Sequence, residues 1–231
     1  MNLTKLVVCA LLALPAGWFA GVLADRIPDD EPLFQDLPPL RAHGRYLALH
    51  LSMLVLFVGA SVRFQDESWL VLLSYLFAFG SLATLSAIDF AVLRLPDRIV
   101  VPTLVISVPL ITVASILDQD AAAIRYAIGG GAGYFGFLFI FHLIFGNRGM
   151  GFGDVKMASV LGLYLGWLAD SSTEVMRYIL WAMIVGFLLG TVVGLALFAV
   201  YRKSKPYPFG PFLVLGTVVM VFFGQALVTG S

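Results

Sequence analysis

The stretch FGNRGMGFGDVKMASVLGLYLGW, residues 145–167, sets a run of glycines, an aspartate (Asp154) and a lysine (Lys156) at the head of an apolar, helix-like run. A charge where hydrocarbon begins is costly, so it needs an interfacial position or a function. The surroundings decide what kind of chain this is. Of the 231 residues, 60% are hydrophobic and only 12% charged, with mean hydropathy +0.96, outside the range of soluble domains. A spanning helix takes about 20 predominantly apolar residues. Such runs lie at roughly 5–24, 45–63, 68–88, 99–117, 124–145, 155–169, 177–201 and 209–228. The expected fold class is all-α, a polytopic membrane bundle of about eight helices in the lipid bilayer.

The longest polar connection, residues 25–45, holds four prolines and five acids and reads as an extended surface loop, too short for a domain. Fourteen basic and fourteen acidic residues give zero net charge, which argues against nucleic acid as a partner. The single cysteine, Cys9, can form neither an internal disulfide nor a thiolate metal cluster. His43, His50 and His142 are too scattered for metal-ligand spacing and read as structural or interfacial, so no metal is expected.

Orientation follows from the basic residues, which are retained on the cytoplasmic side. One set of alternate loops carries Arg26, Arg41, Arg45, Arg94, Arg98, Arg148, Lys156, Arg202, Lys203 and Lys205. The other carries Lys5, Arg63, Arg125 and Arg177. Ten against four puts the loops after spans 1, 3, 5 and 7 in the cytoplasm and both termini outside. A rival reading of residues 1–24 is a cleavable signal peptide, with Lys5 before the apolar run and VLA at 22–24 as the cleavage site. Gly186, Gly190 and Gly194, Gly162 with Gly166, and the cluster GGGAG at 129–133 read as small-residue stripes for close helix packing.

On this topology Asp89 stands where span 3 ends and Asp154 where span 6 begins, at the same membrane depth. Paired aspartates can divide the work of hydrolysis, one taking a proton from water while the other, protonated, polarises the scissile carbonyl. Helix ends favour the carboxylate at Asp154 and the acid at Asp89, in a pair whose titration is shared. Gly149, Gly151 and Gly153 leave room for an extended substrate to lie against the chain. The bland alternative is that Asp154 caps span 6 and Asp89 merely ends span 3. Asp97 reads as the N-cap of span 4 and Lys156 as an interfacial cation.

These residues resemble the type IV prepilin peptidases, membrane aspartic proteases with a GxGD motif. Here the motif is Gly151, Phe152, Gly153 and Asp154, followed by Val155 and Lys156. The stretch AIDFAVLRLPDRIVVPTL is similar to the family's first aspartate segment, with Asp97 at its Pro-Asp position, and YPFGPFLVLG at 207–216 is similar to the entry into its last span. The resemblance implies residues 1–44 as a first span plus a short loop, and 45–231 as the membrane-embedded peptidase domain. It implies Asp89 and Asp154 as the catalytic pair, with Gly151, Gly153, Asp97 and Lys156 shaping the site. It further implies a bacterial cytoplasmic-membrane enzyme that needs no cofactor and cuts membrane-anchored prepilin or pseudopilin precursors at the cytoplasmic face, after a basic leader. Many members carry cysteine pairs that bind zinc and also N-methylate the product. No such cysteines occur here, so neither zinc nor methyltransferase activity is expected. Two rivals are a GxGD protease that cuts inside the lipid, and a small proton- or cation-coupled transporter using its aspartates.

Overall fold

The computed structural model describes residues 2–29, 31–32, 44–146, 150–202 and 207–229. Most of the 25–45 loop with Arg41 and His43, Arg148 with Gly149, and Lys203 with Lys205 lie outside the described residues. Among those described there are eight helices: α1 (Leu3–Arg26), α2 (Gly44–Arg63), α3 (Trp69–Val92), α4 (Asp97–Leu117), α5 (Ala121–Phe145), α6 (Phe152–Trp167), α7 (Ser172–Tyr201) and α8 (Gly210–Thr229). Each matches an expected apolar run to within a few residues. Seven are long and apolar enough to cross a membrane, which makes the chain a multi-pass membrane protein. The exception is α6, whose 16 residues rise only about 24 Å, short of the ~30 Å hydrocarbon core. It also starts three residues earlier than expected, so Asp154 lies inside its first turn.

The chain forms two compact units, residues 1–88 with 96–118, and residues 89–95 with 119–231. In the first, α1 packs on α2 across two glycines. A Cβ on Gly17 would come within 2.8 Å of the His50 Cα, and one on Gly21 would run into the Tyr46 ring. Lys5, counted above only for its charge, is buried. Its Nζ donates to the carbonyls of Phe64 (3.2 Å), Gln65 (2.9 Å) and Glu67 (2.5 Å) and stands 5.7 Å from the centre of the Trp69 ring. Those carbonyls belong to the turn that follows α2, at the negative end of the helix, where a cation is favoured. The ammonium thus ties the start of α1 to the α2–α3 turn.

In the second unit α5 lies against α6 and α7 against α8. The apolar residues of α6 are buried almost all round, from Val155 and Met157 to Leu165, as expected of a helix enclosed by protein. The α5–α6 approach depends on glycine. A Cβ on Gly130 would meet the Gly162 carbonyl oxygen and sit 2.8 Å from the Gly166 Cα, whereas one on the neighbouring Gly129 would meet nothing within 4 Å. The cluster at 129–133 is therefore a packing device at some positions and open at others. Alanine at Gly130 is expected to lower stability by about 1–3 kcal/mol through overpacking. Alanine at Gly129 should be neutral or stabilising by up to about 1 kcal/mol, because it removes backbone freedom from the unfolded chain. Unfolding of the two variants in detergent tests the contrast, and equal effects would refute the close approach.

Candidate active site

Three helix ends of the second unit supply the candidate site. Asp89 occupies the last turn of α3, one turn before its end. That end is closed by Leu93, a non-glycine residue in the left-handed region (φ 54°), whose N–H donates to the Asp89 carbonyl at 2.9 Å. Left-handed backbone is disfavoured for a branched side chain, so the turn needs support from the packing of its neighbours. Two residues on, Leu95 supplies such packing, lying in the space left open by Gly153, where a Cβ would sit 2.9 Å from the Leu95 Cβ.

Asp154 comes from the first turn of α6, whose N-cap is Gly151, with no side-chain cap. The Asp154 N–H donates to the Gly151 carbonyl at 3.1 Å. Asp154 is thus not the cap of its helix, and the bland reading of it fails on that point. Its side chain is 8% exposed and that of Asp89 5%. At this burial neither carboxylate is a solvated surface charge, and each needs a partner.

The third contribution is the start of α8. The Gly210 N–H donates to Asp89 Oδ2 at 3.1 Å. The position a Gly210 Cβ would occupy is 2.9 Å from Asp89 Oδ2, 3.2 Å from Asp154 Oδ1 and 3.4 Å from Leu95 Cδ1. Both carboxylates therefore converge on one point, which only glycine leaves empty. Gly210 was visible in the sequence as part of FGPF, with Pro211 beside it as is usual in a first helical turn, but nothing in the spacing tied it to Asp89. Leu95 had no sequence signal at all.

The electrostatics qualify the helix-end argument. Asp154 lies outside the seven spanning helices, and burial first, then the charge of Asp89, push its carboxyl above the ordinary range. These outweigh the favourable helix N-terminus. Asp89 in turn holds an N–H donor on its carboxylate, a contact that its place at the end of α3 does not by itself provide.

The other expected site residues fall elsewhere. Asp97 belongs to the first unit and is exposed in the first turn of α4. The N-cap there is Pro96, which corrects the reading of Asp97 as the cap. A carboxylate one position inside still favours the helix start electrostatically. The Lys156 Nζ stands 5.1 Å from the centre of the Phe152 ring, one turn back on α6. No third His, Cys, Asp or Glu joins Asp89 and Asp154 in a metal-binding cluster among the described residues.

Alanine at Gly210 puts a methyl group against both carboxylates and is expected to destabilise the protein. In an Asp89→Ala background the closest clash is gone, so the same change should cost less, with a coupling of at least about 1 kcal/mol. Unfolding measurements on the four proteins of that cycle give the number. Additive costs would mean that Gly210 does not touch Asp89.

A sequence profile of the type IV leader peptidase family matches residues 76–200. A Burkholderia pseudomallei (strain K96243) protein named prepilin leader peptidase/N-methyltransferase is 32% identical over 184 residues, 78% of this chain and 55% of the relative. Proteins of the same name from Aeromonas hydrophila and Stutzerimonas stutzeri are each 31% identical, over 149 and 160 residues. These alignments cover 63% and 69% of this chain, and 48% and 52% of the relatives. The chain spans about half the length of the curated relatives it matches. No solved structure matches it. With the profile covering more than half of the residues, including Asp89 and the GFGD entry into α6, the chain belongs to the type IV leader peptidase family.

Proposed function

We propose that the protein is a membrane aspartic endopeptidase that removes the leader from type IV prepilin or pseudopilin precursors at the cytoplasmic face of a bacterial inner membrane. The observation that carries this reading is the convergence of the Asp89 and Asp154 carboxylates on the empty position beside Gly210. Two carboxyl groups so close hold one proton between them over a range of pH, because both cannot ionise cheaply. The carboxylate takes a proton from a water as that water attacks the scissile carbonyl, while the protonated partner donates to the carbonyl oxygen. The resulting tetrahedral diol collapses as a proton passes to the amide nitrogen, the C–N bond breaks and the pair regains its starting state. The Gly210 N–H favours Asp89 as the carboxylate, and the raised carboxyl of Asp154, pressed upward by desolvation and by the charge of Asp89, favours that residue as the acid.

Gly153 serves the site by admitting Leu95 beside Asp154, and Gly151 by accepting the Asp154 N–H. The proposal is confined to leader removal. The cysteine pairs that the family resemblance associates with zinc and N-methylation have no counterpart in a sequence whose one cysteine is Cys9.

Co-expression with a panel of prepilins, read by the gel shift of leader loss, tests the reading. Asp89→Asn and Asp154→Asn should each lower processing by at least about 100-fold while expression is maintained. A well-expressed variant that still processes would sink the dyad. The pH–rate profile should be bell-shaped, with activity lost on the acid side as the carboxylate is protonated and on the alkaline side as the shared proton leaves. The raised carboxyl of Asp154 places that alkaline limb above the ordinary aspartate range.

A further inference from the structure

His142 lies in the last turn of α5 and closes the α5–α6 connection from both ends. Its backbone carbonyl accepts from the N–H of Gly146, the C-cap of α5. Its ring Nδ1 is 2.9 Å from the carbonyl oxygen of Met150, the residue just before the N-cap of α6. A carbonyl can only accept, so Nδ1 carries the proton and donates. The imidazole also lies 5.5 Å, centre to centre, from the Phe152 ring, which is 6.3 Å from that of Phe139 and stands under the Lys156 ammonium.

Gly151 provides no side-chain cap, so the first turn of α6 draws on its cap residue only through the backbone, by the Asp154 N–H bond to the Gly151 carbonyl. The chain entering that turn is held further by the buried Met150 and the His142 bond to its carbonyl. Asp154 begins four residues after that carbonyl. We propose that His142 is a positioning residue for the peptidase reaction, its Nδ1–H fixing the Met150 carbonyl and through it the placement of the Asp154 carboxylate. This rests on the leader-peptidase reading of the dyad. His142 touches neither carboxylate among the contacts described, so it acts through the backbone and not on the substrate.

The asparagine amide nitrogen can occupy the place of the histidine Nδ1 and keep the donor, whereas alanine removes it. The test uses the protein in detergent with an intact, leader-bearing prepilin as substrate, comparing wild type, His142→Ala and His142→Asn. His142→Ala is expected to lower kcat by between about 10-fold and 100-fold with KM within twofold, as a misplaced catalytic group does. His142→Asn should recover kcat to within about threefold of wild type. Hydrogen exchange at the amides of residues 152–155 should be faster in His142→Ala and restored in His142→Asn. Wild-type kcat in His142→Ala, or asparagine as poor as alanine, would overturn the proposal. If wild type processes no prepilin, the leader-peptidase reading fails. The exchange pattern then still decides whether His142 holds the start of α6.

Discussion

The site depends on one backbone amide. Two carboxylates buried in an apolar bundle are costly, and the N–H of Gly210 gives one of them a hydrogen bond at the positive end of α8. The same residue supplies the vacancy the other atoms surround, because any Cβ there would press on Asp89, Asp154 and Leu95 together. Donor and vacancy cannot be separated, since both belong to the first residue of the same helix. The position of α8 along its axis is thereby coupled to the end of α3 and the start of α6, and a shift of one residue in any of the three would break the convergence.

That coupling explains which parts were legible in the sequence. The eight helices could be read because hydrocarbon demands about 20 apolar residues in a row and tolerates little else. Asp89 and Asp154 could be singled out as candidates because each is an acid at the edge of such a run, and the glycines before Asp154 marked a place where the backbone comes close. Gly210 and Leu95 could not be assigned. Their roles come from contacts across 121 residues for the Gly210–Asp89 bond, and a single chain carries no record of such distances. The cap roles differ from the sequence reading for a local reason. Helix starts here fall at Gly151 and Pro96, which offer no side-chain acceptor, so the sequence pattern points to the first acid downstream in both cases.

Basic residues proved to do more than set orientation. Lys5 entered the sequence argument as one charge among fourteen, yet it satisfies three carbonyls in the turn that follows a helix. A lysine in that setting is enclosed by acceptors and by the Trp69 ring, which is how a cation is tolerated away from water. Charge counts along loops treat such a residue as equivalent to an exposed one, and only the fold distinguishes them.

The shortness of α6 has a consequence for the height at which Asp154 stands. Its first residue, Phe152, meets Phe139, and α5 continues for six more residues to Phe145, about 9 Å along the helix. At that end the chain beside α5 is not helical at Met150 and Gly151, and non-helical backbone at membrane depth is tolerated only against protein or against water. By stopping short, α6 places its acid below the level at which α5 ends, at the foot of a step in the helical layer.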